Sequence, residues 1–394
     1  MITRLMSALG YEKRATTYPH NPAYFAGNWG KGFITGSTPN GESVLSNSAV
    51  AARCIALRSQ LLASVPLKLY QRLPDGDRVQ VEDSPLAYAL AIDANPLMSS
   101  YEMREFLIRQ LDLTGNAYAR LVRDSSGQVR EIWPVASALV SVEQLESGRL
   151  RYRVAGHNRM DPATLIQEEM LHVRASTEDG LLGRSPIEVV RGVLARTVAE
   201  NQTAQSFAQN GLRFPFALSH PKKLSDTAIK NLQDSIMDLH SGPARVGRPM
   251  VLEEDMKPVN LSVNPADAEF LNSRLLSNED TARSFDVPSG AVGIRDSVSY
   301  GSAAADAAAL VQNCLQPLAS RFEQALMRCC LTPTARRSFV IDHDLKGLLR
   351  GNIAERFAAY RIGREVGMYS VNDLRRMEGE RMISDGDTYL QPAT

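Results

Sequence analysis

The 394-residue chain reads as an α+β protein. Three observations carry that reading. From Ser46 to about residue 184, capped helical stretches alternate with short hairpins. Two long, largely polar helical stretches then bracket a small strand–helix–strand insertion. Last, an alanine-rich helix follows a loop punctuated by Gly and Pro.

Residues 1–48 include "YPHNPAYFAGNWGKGFITGSTPNGES", which predicts a flexible arm unless a partner holds it. Its "GNWGKG" lacks the four-residue spacer and the following Ser/Thr of a phosphate loop. After Ser46, residues Val50, Cys54, Ile55, Leu57, Leu61 and Leu62 recur near helical spacing, and the helix must stop before Pro66. "PLKLYQRL" alternates as a strand with Leu67, Leu69 and Gln71 on one face, and "PDGD" turns a hairpin. A second helix, "SSYEMREFLIRQLDLTG", is capped by Ser99 or Ser100. "NAYARLVRDSSGQVREIWPV" is a hairpin turning at Ser125–Gly127, and "ALVSVEQ", "LRYRVAG" and "EMLHVRA" are further strands.

The pattern changes at Gly183. "SPIEVVRGVLARTVAENQTAQSFAQNG" has Ser185 as N-cap, Pro186 at the first helical position and Gly211 at the end. Roughly 25 residues at about 1.5 Å each make a rod near 37 Å long. Its second half is polar nearly all round, as in a helix that spans between regions or packs on symmetry copies. "RFPFALSHP" is a strand, and "LSDTAIKNLQDSIMDLHSG" an amphipathic helix with Ile229, Leu232, Ile236 and Leu239 on one face. "RPMVLEEDMKPVNLSV" returns as a strand pair, and "NPADAEFLNSRLLSNEDTARSFD" is a second rod. The layout is an antiparallel stalk with a small head.

After the loop "VPSGAVGIRDSVSYGS" comes the helix "SAAADAAALVQ". Alanine is the best helix former but buries little area, and at about 25 cal/mol per Å² such a face is held down weakly. The helix either packs unusually close to a neighbour or lies where space is restricted. Pro317 should kink it or start a new segment. A strand, "RSFVIDHDL", and two short helices broken at Gly367 close the chain.

Lys plus Arg and Asp plus Glu are each 44, so the formal charge is zero. That argues against tight, stationary nucleic-acid binding, which requires a basic excess. Cys54, Cys314, Cys329 and Cys330 have no metal-clip or redox spacing and read as free thiols of a reducing compartment. No signal-peptide core and no apolar run of membrane-spanning length is seen, so the chain is expected to be soluble and without membrane contact. No histidine lies in H-E-x-x-H and no serine in G-x-S-x-G, so no enzyme and no cofactor is expected. The alternative is a metal-dependent nuclease or hydrolase using Asp342, His343 and Asp344, whose two carboxylates would share one face of a strand. A polar strand end is the plainer reading of that triplet. Glu253, Glu254 and Asp255 read as a solvated turn.

The ordered set "SVPLKLY", "NPLMSSYEMREFL", "LDLTGNAYARLVRDSSGQVREIWPV", "GLLGRSPIEVV", "FDVPSGAVG", "SYGSAA", "LQPLASRFEQAL" and "REVGMYSVNDLRRMEGE" resembles the portal protein of long-tailed, double-stranded-DNA bacteriophages, over about Ser46 to Leu390. The resemblance implies a non-enzymatic ring, commonly of twelve subunits, at one capsid vertex of the virion, made in the host cytoplasm. It would hold the major capsid protein, a terminase large subunit and a head–tail adaptor as partners, and pass double-stranded DNA non-specifically. The implied segments are an arm at 1–48, a wing at 49–184, a first stem helix at 185–210 and a clip at 211–263. A second stem helix at 264–286, a tunnel loop at 287–301, a channel helix with wing return at 302–350 and a crown at 351–394 follow.

On that layout Ile294, Arg295, Asp296, Ser297 and Val298 would face DNA, with Arg295 gripping phosphate or paired to Asp296 or a neighbouring subunit. Lys222, Lys223, Arg245 and Arg248 of the clip would meet adaptor or terminase. Ala303, Ala304, Ala305, Ala307 and Ala308 would let channel helices pack closely near the axis. Asp267, Glu269, Glu279 and Asp280 would give the stem an acidic face that does not brake a moving duplex.

Overall fold

The computed structural model describes residues 14–18, 48–156, 162–189, 191–210, 216–219, 225, 227, 229–231, 234, 257–260, 266–294, 300–348 and 353–390. Strand β1 (Arg14–Tyr18) lies in the arm and pairs antiparallel with a later strand, from Arg14 opposite Leu145 to Tyr18 opposite Val142. Five residues of the arm thus pair within their own chain. A five-residue edge strand of this kind has too little periodicity of its own to be read locally.

Helix α1 (Ala49–Ser64) starts where the Ser48 hydroxyl accepts the Ala51 amide, and it ends before Pro66 as expected. Strands β2 (Leu67–Arg72) and β3 (Arg78–Gln80) form the hairpin. Leu67 and Leu69 are buried, while Gln71, at the strand's far end, is exposed. Helix α2 (Pro85–Ala91) is capped by Ser84 with Pro85 opening the first turn. Two short strands, β4 (Asp93–Asn95) and β5 (Met98–Ser99), lead into helix α3 (Ser100–Thr114). Ser99 and Glu102 make a reciprocal capping box, and Gly115 at φ 78° ends the helix. Met103, Leu107, Ile108 and Leu111 form its buried face, worth about 1.5–3 kcal/mol per side chain.

Strands β6 (Asn116–Arg123) and β7 (Val129–Val135) turn through Gly127, where the Asp124 carboxylate accepts the Ser126 and Gln128 amides. Strands β8 (Val140–Leu145), β9 (Leu150–Val154) and β10 (Ala163–Ile166) make a sheet ordered β1-β8-β9-β10. Strand β11 (Met170–Arg174) instead joins β6, giving β11-β6-β7. Helices α4 (Pro186–Val189) and α5 (Arg191–Asn210) follow. Strands β12 (Phe216–Ser219) and β13 (Lys257–Asn260) pair antiparallel and close the insertion at its base. Of the expected amphipathic face inside it, Ile229 is exposed, and Leu232, Ile236 and Leu239 lie outside the described residues.

Helix α6 (Ala266–Ser284) is the second rod, followed by helix α7 (Tyr300–Ala309), a π-helical segment over Leu310–Leu315 and helix α8 (Gln316–Cys330). Helix α9 (Ala335–Ser338) precedes strand β14 (Phe339–His343), which returns to pair with β2 in the order β14-β2-β3. Helices α10 (Ile353–Glu365) and α11 (Val371–Met377) end the chain.

Two apolar clusters hold the body together. The larger gathers α1, α3 and α8 with β2, β6, β7, β11 and β14, around Ile55, Leu107, Ile108, Leu171, Phe322 and Ile341. The smaller sits under the β8–β10 sheet, around Tyr118, Val142, Tyr152 and Met170. No helix among the described residues is long and apolar enough to cross a membrane.

Candidate functional site

The two rods run antiparallel. Arg196 of α5 meets Asp280 of α6 at 3.2 Å, and the Ser277 hydroxyl, nearer the start of α6, donates to Glu200 at 3.2 Å. Thr197, Ser277 and Thr281 are buried among Leu194 and Ala282. Small polar side chains let the rods approach closely, and the hydroxyls of Thr197 and Thr281 donate to backbone carbonyls one turn back. The acidic residues proposed for this rod are not bare. Arg283 contacts Asp280 at 2.6 Å and Glu279 at 3.8 Å, so both carboxylates have a cation beside them. Asp267 and Glu269 belong to α6, but their side chains lie outside the described residues.

At its base the second rod ends in a Schellman turn. Val287 donates to the Ala282 carbonyl and Asp286 to the Arg283 carbonyl, with Asp286 at φ 56°. Aspartate tolerates this left-handed position better than most side chains. The Phe285 carbonyl, an orphan of the helix end, receives Arg58 Nη1 at 2.5 Å. The same guanidinium grips Asp112 through Nε at 3.0 Å and Nη2 at 3.1 Å, and reaches Cys314 Sγ at 3.3 Å. Burial works against the Arg58 charge, and the adjacent Asp112 carboxylate more than offsets it, holding the guanidinium protonated. One buried side chain thus ties α1, α3, the end of α6 and the π segment. Burial also pushes the Cys54 thiol up to about 12 and the Cys314 thiol to about 11, which makes both poor nucleophiles.

Beyond Val287 the loop begins with a 3₁₀ turn over Ser289–Val292, closed by Gly293 at φ 75°. Asp306 of α7 lies over Gly290, where an added Cβ would fall 2.1 Å from its Oδ2. Ile294 leans on the larger apolar cluster. Arg295, Asp296, Ser297 and Val298 lie outside the described residues, as do Lys222, Lys223, Arg245 and Arg248. In α7, Ala305 and Ala307 are exposed and Ala308 is half-buried; the side chains of Ala303 and Ala304 are not among those described. Pro317 does begin a new segment. Having no amide proton, it cannot bond the Asn313 carbonyl, and the chain widens into the π segment just before it, with Gln316 donating to Val311.

The first rod is fixed to the sheets by two motifs meeting. Asn116 Nδ2 donates to the Gly183 carbonyl at 2.8 Å, and the Gly183 amide donates to Asn116 Oδ1 at 2.8 Å. A Cβ on Gly183 would lie 2.1 Å from the Gly115 oxygen, so only glycine permits this approach. The Ser185 hydroxyl accepts the Ile187 amide and donates to the Leu113 carbonyl. His172 Nε2 donates to Asn116 Oδ1 at 2.9 Å, and its Nδ1 accepts from the Tyr152 hydroxyl at 3.2 Å.

The Asp342–His343–Asp344 triplet does not converge. Asp342 takes Arg78 at 2.6 Å on one face of the strand, while His343 is buried on the other with Nδ1 2.8 Å from Glu323. Among the described residues no three metal-ligating side chains gather. The Arg58–Asp112 pair and the Asn116–Gly183 joint are the centres that sequence reasoning missed. Their signal was present: Arg58 and Asp112 each occupy an apolar-stripe position of an amphipathic helix, between Ile55 and Leu62 and beside Leu111.

A family model described as "Phage portal protein" matches residues 49–379. The chain belongs to the phage portal protein family. It is 31% identical over 366 residues to the portal protein of Enterobacteria phage HK97, covering 92% of this chain and 85% of that one. The fold of this portal chain matches that of a solved HK97-family phage portal protein from Corynebacterium diphtheriae, with a TM-score of 0.59 and 16% identity over 80% of this chain and 98% of the other. It also matches the neck of a native gene transfer agent particle computed with C12 symmetry, with a TM-score of 0.55 and 20% identity over 86% and 92%. Arg58, Asp112, Asn116, Gly183 and the alanine helix all fall within the portal match.

Proposed function

We propose that copies of this portal chain close into a ring at one capsid vertex of a virion, and that the ring is the passage for double-stranded DNA during packaging, retention and ejection. Residues 49–184 with the return over 302–350 act as the wing, the two rods as the stem, 211–263 as the clip, 287–301 as the tunnel loop and 351–394 as the crown. Terminase and a head–tail adaptor would dock on the clip, through Lys222, Lys223, Arg245 and Arg248, and the major capsid protein on the wing. The reading is supported by membership of the family and by likeness to a neck of twelve-fold symmetry. The observation that carries it is the alanine helix. A helix anchored at its end by the π segment and Arg58, yet exposing Ala305 and Ala307, is suited to stand beside its own copies where large side chains would collide.

Negative-stain electron microscopy with native mass tests this directly. Rings with a central hole and about twelve lobes are expected, in keeping with the likeness to a neck of twelve-fold symmetry. A protein that remains monomeric with its natural capsid partners would overturn it. Arg295→Ala should leave ring assembly intact and alter DNA packaging or retention; loss of assembly instead would assign Arg295 to the subunit contact.

A further inference from the structure

The short hairpin between α2 and α3 holds apolar side chains out into solvent on a turn braced from beneath. Asn95 is buried, its Nδ2 donating to the Ile132 carbonyl of β7 at 2.9 Å while its Oδ1 accepts the Leu97 amide at 3.0 Å. One side chain thus ties the turn to the sheet and fixes its tip. Leu97 sits at that tip and is 79% exposed, more than any other large apolar residue among those described. Ile92 and Tyr101 flank the base of the hairpin, where the Ser100 amide donates to the Ile92 carbonyl at 2.8 Å. Tyr88 lies one helical turn before Ile92, and these three side chains are 39–55% exposed. At roughly 3.3 Å per residue the tip is about 10 Å from the base, so the four side chains border one area of surface.

Single exposed apolar residues are ordinary, but four around one braced turn are not explained by folding. The charge around them is of one sign. From Val79 to Met103 the sequence holds Glu82, Asp83, Asp93 and Glu102 and no Lys or Arg. Arg78 is held by Asp342, and Arg104 is buried with its guanidinium on the Ser100 and Val65 carbonyls. Among the described residues none of the four carboxylates has an ion pair. Asp93 accepts the Tyr88 hydroxyl at 2.7 Å, and Glu102 accepts the Ser99 hydroxyl at 2.9 Å. Glu105, one turn beyond Tyr101, adds a fifth carboxylate. An apolar face with an acidic border repels a duplex or an anionic membrane, and two such faces set against each other would oppose like charges.

We infer that this hairpin is a docking surface for a positively charged segment of another protein, which seats an aliphatic or aromatic side chain against Leu97 and sets Lys or Arg beside the acidic border. A fixed apolar anchor supplies the affinity of such a contact, and the complementary charge around it supplies the choice of partner. The surface is complete within one chain, so the inference goes beyond the channel reading and does not depend on ring closure.

Fluorescence anisotropy of the full chain with a labelled amphipathic peptide of Lys and Leu tests this, against a twin in which Glu replaces Lys. The Lys peptide should bind saturably and more weakly as salt rises, and the Glu twin should not bind. Ile92→Ser/Leu97→Ser should weaken binding by about tenfold or more, as loss of a central anchor does, while Leu97→Met keeps it. Asp83→Asn/Glu105→Gln should flatten the salt dependence. Thermal midpoints should stay at the parent's value, and Leu97→Ser alone serves where the pair disturbs folding. Equal binding by parent and serine variant, equal binding of the two peptides, or no binding at all would overturn the inference. A change of native mass in the serine variant would assign the face to a contact between copies and overturn it as well. Rings that form normally while the Lys peptide ignores the hairpin remove this inference and leave the channel reading standing.

Discussion

Arg58 brings a positive charge into the largest core, where only a fixed counter-charge and fixed carbonyls keep it tolerable. Its bond to the Phe285 carbonyl means that the end of the second rod cannot shift without stranding a buried guanidinium. Arg58→Met leaves Asp112 charged and unpaired, and should cost about 3–5 kcal/mol of stability. Arg58→Met with Asp112→Leu should recover most of that loss, since an apolar pair of similar size suits a dry site. Urea unfolding of the three proteins checks this; a single variant as stable as the parent would show that the site rearranges. Position alone marked these two residues in the sequence, as charges set in apolar stripes. That they meet each other, and that Arg58 also meets Phe285 and Cys314, is long-range geometry that no local pattern encodes.

Among the elements, α3 was legible end to end, because Ser99, Glu102 and Gly115 are physical start and stop signals. Helix α11 repeats the start, with Ser370 and Asp373 in a capping box. Hydrogen bonds from the Ser99 backbone and hydroxyl hold the Glu102 carboxyl below its usual range, and those from Ser370 do the same for Asp373. A depressed folded-state pKa gives stability that is present above the unfolded value and is lost as pH falls through the folded one. The gap in thermal midpoint between the parent and Glu102→Gln/Asp373→Asn should therefore be full at neutral pH and close below about pH 4. A gap independent of pH would mean that the caps act through packing alone. Strand β10 and strand β1 were not legible, since each is short and exists as a strand only because β9 or β8 offers it an edge. Pro317 announced a break, while its form, a widened turn in which Gln316 donates to Val311, was not written in the local pattern.

At the scale of the whole molecule, the alanine helix separates folding from assembly. Ala307 is exposed, so Ala307→Leu should leave the unfolding free energy of the unassembled chain within about 0.5 kcal/mol of the parent. In the ring the same change should hinder closure or narrow the bore, seen as fewer complete rings or slower DNA entry. Unchanged rings and unchanged DNA entry would place the helix away from the axis. The acidic stem shows the reverse lesson. Glu279 and Asp280 lie on the second rod with Arg283 and Arg196 beside them, so these two carboxylates are paired with cations within the single chain.

The sequence by itself determined the α+β class, the order of the segments and the capped helices, because caps, prolines and periodicity act within a few residues. It also determined the family, through motifs kept in order along most of the chain. Only the tertiary structure decided that Asn116 and Gly183 lock rod to sheet, that β14 returns to β2, and that Asp342 and His343 part to opposite faces. Those outcomes depend on which surfaces pack together once the chain collapses, and packing is settled by shape and desolvation over distances no local pattern spans.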